Sequence, residues 1–138
     1  MSRFVKAEPG PRNSVIYTDD EGKRFMYSGG DRTWRNQNPG DLVPGEVSKR
    51  NQQIGTAGGF AVFPDYMTGH KALLDSLNST YGDKGLSQMI EAFAPRHENQ
   101  TNKYLHFLRK QTGVKDDRKI KNFTSAEFEK LWRAIELM

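Results

Sequence analysis

The chain contains no cysteine. That excludes disulfides, thiolate-ligated zinc, iron–sulfur clusters and a thiol nucleophile, and it leaves the redox compartment open. No apolar run approaches the roughly 18 residues that cross a bilayer, so no membrane partner is expected. The opening stretch MSRFVKAEPGPRNS lacks the roughly 7–15-residue apolar segment of a secretory signal, so synthesis in the cytoplasm without a leader is the expectation. There is no Gly-x-Ser-x-Gly elbow and no Walker-type loop. His97-Glu98 and His106 do not have the i, i+4 spacing of a helical zinc site. No metal and no cofactor are therefore expected.

What the chain does have is a basic balance. Its 138 residues suit one domain, and 21 Lys and Arg against 17 Asp and Glu give +4 at pH 7. Such a charge favours an anionic partner, whether nucleic acid, a membrane surface or the acidic bacterial wall. Eight of the Lys and Arg fall between Arg96 and Lys121, with three acids among them. That stretch reads either as a solvated helix face with a charged loop or as a surface that attracts a polyanion.

The organisation expected is a mainly helical α+β domain in three parts. Residues 1–13, with Pro9, Gly10 and Pro11, read as an irregular arm. Residues 14–63 read as a β-hairpin followed by a polar loop region. The hairpin is formed by Ser14–Thr18 and Lys23–Tyr27 around Asp19-Asp20-Glu21-Gly22. The Gly-, Asn- and Gln-rich run from Ser28 to Gly59 is long for a structureless loop, so it is functional or hides short helices. Phe60–Phe63 is strand-like and stops at Pro64. Residues 64–138 read as helices. Asp65 caps the first, Leu86, Met89, Ile90 and Phe93 mark the second, and the third begins near Asn99 and ends at Gly113. The capping box Thr124-Ser125-Ala126-Glu127 opens the fourth.

Two polar clusters stand out. Trp34-Arg35-Asn36-Gln37-Asn38-Pro39-Gly40 sets three amides and a guanidinium beside a turn. Amides donate and accept together, which suits the N-acetyl and hydroxyl groups of amino sugars, although an Asn-rich turn bonding its own backbone has the same spelling. In the second, Glu98-Asn99-Gln100-Thr101, Asn99 can cap a helix and Glu98 sits where a helix N-terminus favours a negative charge.

Taken in order, Arg35-Asn36-Gln37-Asn38-Pro39-Gly40, then Ile54–Pro64, then Glu98-Asn99-Gln100-Thr101-Asn102-Lys103-Tyr104 resemble a family spelled RNNNPGN, GGFAVFP and AP.SEN.T..Y. That family occurs in phage virion proteins and in antibacterial toxins, including type VI secretion effectors, and it is similar to the lysozyme superfamily. The resemblance covers roughly residues 28–138. It implies a lysozyme-like helical fold, peptidoglycan as partner, and cleavage of the glycan strand in the periplasm or wall of a target cell. If the domain is a toxin, an immunity protein is implied as well. The chain departs from the pattern at Gln37 and Asp41, each in place of Asn, and at Arg96-His97 in place of Pro-Ser. The helix that carries the lysozyme-type Glu is replaced by the hairpin.

Glycoside hydrolysis needs a protonated carboxylic acid and commonly a second carboxylate. Within the motifs, Glu98 is the acidic residue that can serve as general acid; Asp41, Asp65 and Glu46 are candidates for the second group. If none is suitably placed, a lytic-transglycosylase route that uses the sugar's own hydroxyl is the better reading. Arg35, Asn36, Asn38, Asn99, Thr101 and Tyr104 are assigned to substrate binding. Two alternatives stand beside the hydrolase: a non-catalytic wall-binding or structural virion module, and a nucleic-acid-binding module supported by charge alone.

Overall fold

The structure is a computed structural model that describes residues 3–93 and 101–138, with Phe93 described by its backbone only. The chain divides into two compact units, Met1–Leu73 and Leu74–Met138. Its elements are those of an α+β protein that is mainly helical, with a small antiparallel sheet at the N-terminus.

The first unit opens with strands β1 (Phe4–Pro9), β2 (Ser14–Asp19) and β3 (Arg24–Ser28), paired antiparallel in that order. The expected hairpin is β2–β3. The turn between them is tied by Asp19, whose Oδ1 accepts from the backbone N–H groups of Glu21 (2.9 Å) and Lys23 (2.8 Å). The irregular arm expected over residues 1–13 is corrected: most of it is β1. Alternation fails to announce this strand because Val5 and Lys6 are both exposed and the register shifts between Phe4 and Lys6. Pro9 ends an edge strand, where its missing N–H is tolerated. Along β2, Val15, Tyr17 and Asp19 point inward. Val15 and Tyr17 join Ala7, Ala57 and Val62 in a core on which Phe4, Tyr27 and Ile54 pack.

The polar run from Ser28 to Gly59 contains α1 (Arg32–Arg35), α2 (Glu46–Arg50) and β4 (Gly55–Ala57); β4 pairs with β5 (Phe60–Val62). Helices of four and five residues are too short to write an amphipathic period. Helix α3 (Tyr66–Ser79) starts on Asp65, whose Oδ1 accepts from the Thr68 N–H at 2.7 Å.

The second unit holds α4 (Leu86–Phe93), α5 (Thr101–Thr112), a 3-10 turn (Ile120–Asn122) and α6 (Ser125–Leu137). Helix α5 packs against both α4 and α6. Leu77, Leu86, Met89, Ile90, Leu108, Ile120 and Leu131 are fully buried. Gly113, at φ 78°, closes α5 by donating to the Arg109 carbonyl. The Thr124–Glu127 capping box is formed in both directions, at 3.1 and 2.9 Å. In the basic stretch Arg109 is paired with Asp117, Arg118 with Asp116 and Glu127, and Lys121 with Asp83. Lys121 holds the Asp83 carboxyl, Arg118 that of Asp116, and the Ser87 hydroxyl with Arg109 that of Asp117, below the usual range. Among the described residues no helix is long and apolar enough to cross a membrane.

Candidate functional site

The Asn36–Gly40 turn is bonded through both of its asparagine side chains. The Asn36 side chain donates to the carbonyls of Ala57 (3.3 Å) and Ala61 (3.2 Å). Asn38 donates to Leu42 and Ala61, both at 3.0 Å, and its Oδ1 accepts from the Leu42 N–H at 3.0 Å. Backbone bonds from Phe63 to Asn36 and from Ala61 to Leu42 complete a zipper between the turn and β5. The other side of the turn meets α3 at Gly69, where a Cβ would lie 2.1 Å from the Gln37 carbonyl oxygen. Only glycine allows that approach.

Within this scaffold Asn36 and Asn38 are 1% and 0% exposed. Their amides hold backbone inside the chain, where the substrate contact expected of them would need an exposed face. The spacing that suited an amino sugar also suits a row of inward carbonyls. Gln37 and Asp41 occupy the left-handed region, at φ 52° and 53°. These are the two positions where the resembled pattern has Asn, a residue that tolerates that conformation better than Gln.

Arg32, on α1, grips both carboxylate oxygens of Asp41 and lies over the Phe60 ring. The hydrogen bond to Asp41 raises the Arg32 pKa further, so the guanidinium stays charged. Asp41 is thus engaged as an ion-pair partner, and Asp65 is engaged as a helix cap. Glu46 is exposed on α2 and faces Arg50 at 3.9 Å. Arg35 turns its Nη1 onto the carbonyls of Gly29 (3.0 Å) and Gly30 (2.5 Å), and its own carbonyl accepts from the buried Tyr17 hydroxyl. Thr101 and Tyr104 are half-buried in the first turn of α5. Glu98 and Asn99 lie outside the described residues.

Two residues of this region were not assigned a role from sequence: Trp34 and Tyr27. Their rings stack, with centroids 4.9 Å apart and planes 24° from parallel, and Trp34 is half exposed. The signal for Trp34 was a large aromatic inside a Gly- and Asn-rich run with no periodicity to absorb it.

Comparison with protein-family models, curated proteins and solved structures finds no match for this chain. Among the described residues no three His, Asp or Glu side chains converge as a metal site. The second unit carries an open groove of about 380 Å³, lined in part by Phe123, Phe128, Trp132, Lys121 and Ser125.

Proposed function

We propose that this chain cleaves the glycan strands of peptidoglycan, as a lysozyme-like domain of an antibacterial effector or a phage-associated lytic protein. The observation that carries the reading is the order of elements. A fixed Asn-Pro-Gly turn is followed by the short α2, the small β4–β5 hairpin and then helices, an arrangement that supports the lysozyme-like helical domain the motif resemblance implies. Glu98 is the proposed general acid, donating its proton to the leaving glycosidic oxygen.

The engagement of Asp41 and Asp65 bears on the choice of route. Asp41 uses both oxygens on Arg32, and Asp65 uses one on the α3 N-terminus. With these two carboxylates engaged and Glu46 left on the open surface of α2 facing Arg50, the lytic-transglycosylase variant is favoured, in which one acid and the sugar's own hydroxyl perform the displacement. Purified peptidoglycan incubated with the protein tests this. Anhydro-ended fragments support the transglycosylase variant and reducing ends support hydrolysis; Glu98→Gln should abolish either product while leaving the fold intact. Release of peptide amino termini alone overturns the proposal. Binding to the wall with no product would establish the wall-binding module instead.

A further inference from the structure

We propose that Trp34, backed by Tyr27, is a stacking platform for a pyranose ring of a glycan strand. This rests on the wall-glycan reading above but not on the assignment of Glu98. The indole is 50% exposed, yet it is held from several directions. Tyr27 covers one face at 4.9 Å, and Tyr27 in turn leans on the buried Tyr17 ring at 4.8 Å. Gly30 of the Gly29-Gly30 turn lies against the six-membered ring of the indole. A Cβ at Gly30 would come within 3.2 Å of Trp34 Cε3, and both glycines have positive φ, 73° and 60°. Arg35 fixes that turn by donating to both of its carbonyls.

Half of the residue stays in water beside these contacts. A flat apolar surface is thus kept in water and kept rigid. Its neighbours Ser28, Gly29, Gly30 and Asp31 are exposed and bring no large apolar side chain. The exposed rings there are Trp34 and, beyond Tyr27 on β3, Phe25, an apolar area far below the roughly 800 Å² per partner of a stable protein interface. One ring rimmed by hydrogen-bonding groups suits a pyranose, which offers a C–H face and a hydroxyl edge. A nucleobase would also stack, but strand binding needs cations that track phosphates. Here Arg32 is held by Asp41, and Arg35 Nη1 is turned onto the glycine carbonyls.

The chain has two tryptophans, so Trp132→Phe leaves Trp34 as the sole indole emitter. Titrating the full Trp132→Phe chain with the N-acetylglucosamine tetramer should give a saturable emission change and protection from acrylamide quenching. By isothermal titration, Trp34→Ala should weaken binding about tenfold or more, with Trp34→Phe retaining part of the affinity. Tyr27→Ala should weaken it several-fold by leaving the indole unbacked. Unchanged affinity in Trp34→Ala overturns the platform, as does a response seen only from Trp132 in Trp34→Phe, which would place the sugar in the second unit's groove. Absence of saturable binding at millimolar tetramer, or preference for single-stranded oligonucleotide over the tetramer, also overturns it. Product release from peptidoglycan is measured beside binding. A cut wall with normal Trp34→Ala binding defeats only the platform, whereas Trp34-dependent binding without cleavage defeats only the hydrolase reading.

Discussion

Arg32 holds Asp41 by two hydrogen bonds while its guanidinium carbon rests 3.7 Å from the centroid of the Phe60 ring. One cation thereby joins α1, the residue after the Asn-Pro-Gly turn and the start of β5. The pair is partly exposed, with side chains at 41% and 29%, so its bidentate geometry is discounted for solvent screening. Asp41→Asn keeps the size and the left-handed tolerance and removes the charge. It should lower stability by about 1 kcal/mol, and the loss should shrink at high salt. Thermal unfolding and wall cleavage measured together separate a stabilising pair from a catalytic carboxylate. Loss of activity at unchanged stability would assign chemistry to Asp41.

A larger effect is expected at Asn38. Its amide serves the Leu42 N–H and the carbonyls of Leu42 and Ala61 in a fully buried position. Asn38→Ala leaves these groups with fewer partners, at roughly 1–3 kcal/mol for a buried group left unsatisfied. Asn38→Asp should be worse, because a carboxylate would face two carbonyl oxygens with nothing to donate. Denaturant unfolding should show both losses, in that order. A variant that folds normally but no longer binds glycan would return Asn38 to the role of a ligand contact.

Gln37 offers the opposite outcome. It sits at φ 52°, and its side chain makes one long contact of 3.4 Å to the Tyr27 hydroxyl. Gln37→Asn and Gln37→Gly should each raise stability by about 0.5 kcal/mol, because both residues enter this region more readily. An increase in the denaturation midpoint at constant slope checks this. A decrease would mean that the Tyr27 contact outweighs the backbone term.

The helical half of the chain was legible because its signals are local. The Thr124–Glu127 capping box, the Asp65 cap and Gly113 each act within one helical turn, and each forms as read. The first unit was less so. Strand β1 exists because β2 offers it a partner across an irregular register, and nothing in Val5-Lys6 announces a face. The Asn36 and Asn38 pattern was visible, but whether an amide points at solvent or at Ala61 depends on where β5 returns, some 25 residues later. Trp34 had no periodic context at all. Its meaning comes from Tyr27 and Gly30, which the chain brings beside it through the end of β3.

Tyr17 makes the protein sensitive to alkali. Its ring is fully buried, stacked on Phe4 at 4.5 Å, and its hydroxyl donates to the Arg35 carbonyl. Burial, and then the neighbouring Tyr27, push its pKa far above the ordinary tyrosine value. The folded chain therefore keeps this proton at a pH where the unfolded chain, titrating near about 10, releases it. Below that pH the group contributes no pH dependence. Above it the unfolded state gains, and stability falls by about 1.4 kcal/mol per pH unit for one such proton. Tyr17→Phe should cost about 1 kcal/mol at neutral pH, through the lost hydrogen bond. The variant should then lose less than the parent as pH rises, so the two stability curves cross roughly half a unit above the unfolded value of about 10. Tyr81 is also pushed up by burial, so some alkaline sensitivity stays in the variant. Denaturant unfolding at a series of pH values, with phenolate absorbance followed in parallel, provides the measurement. Parallel curves for parent and Tyr17→Phe would show that Tyr17 ionises in the folded chain as readily as in the unfolded one.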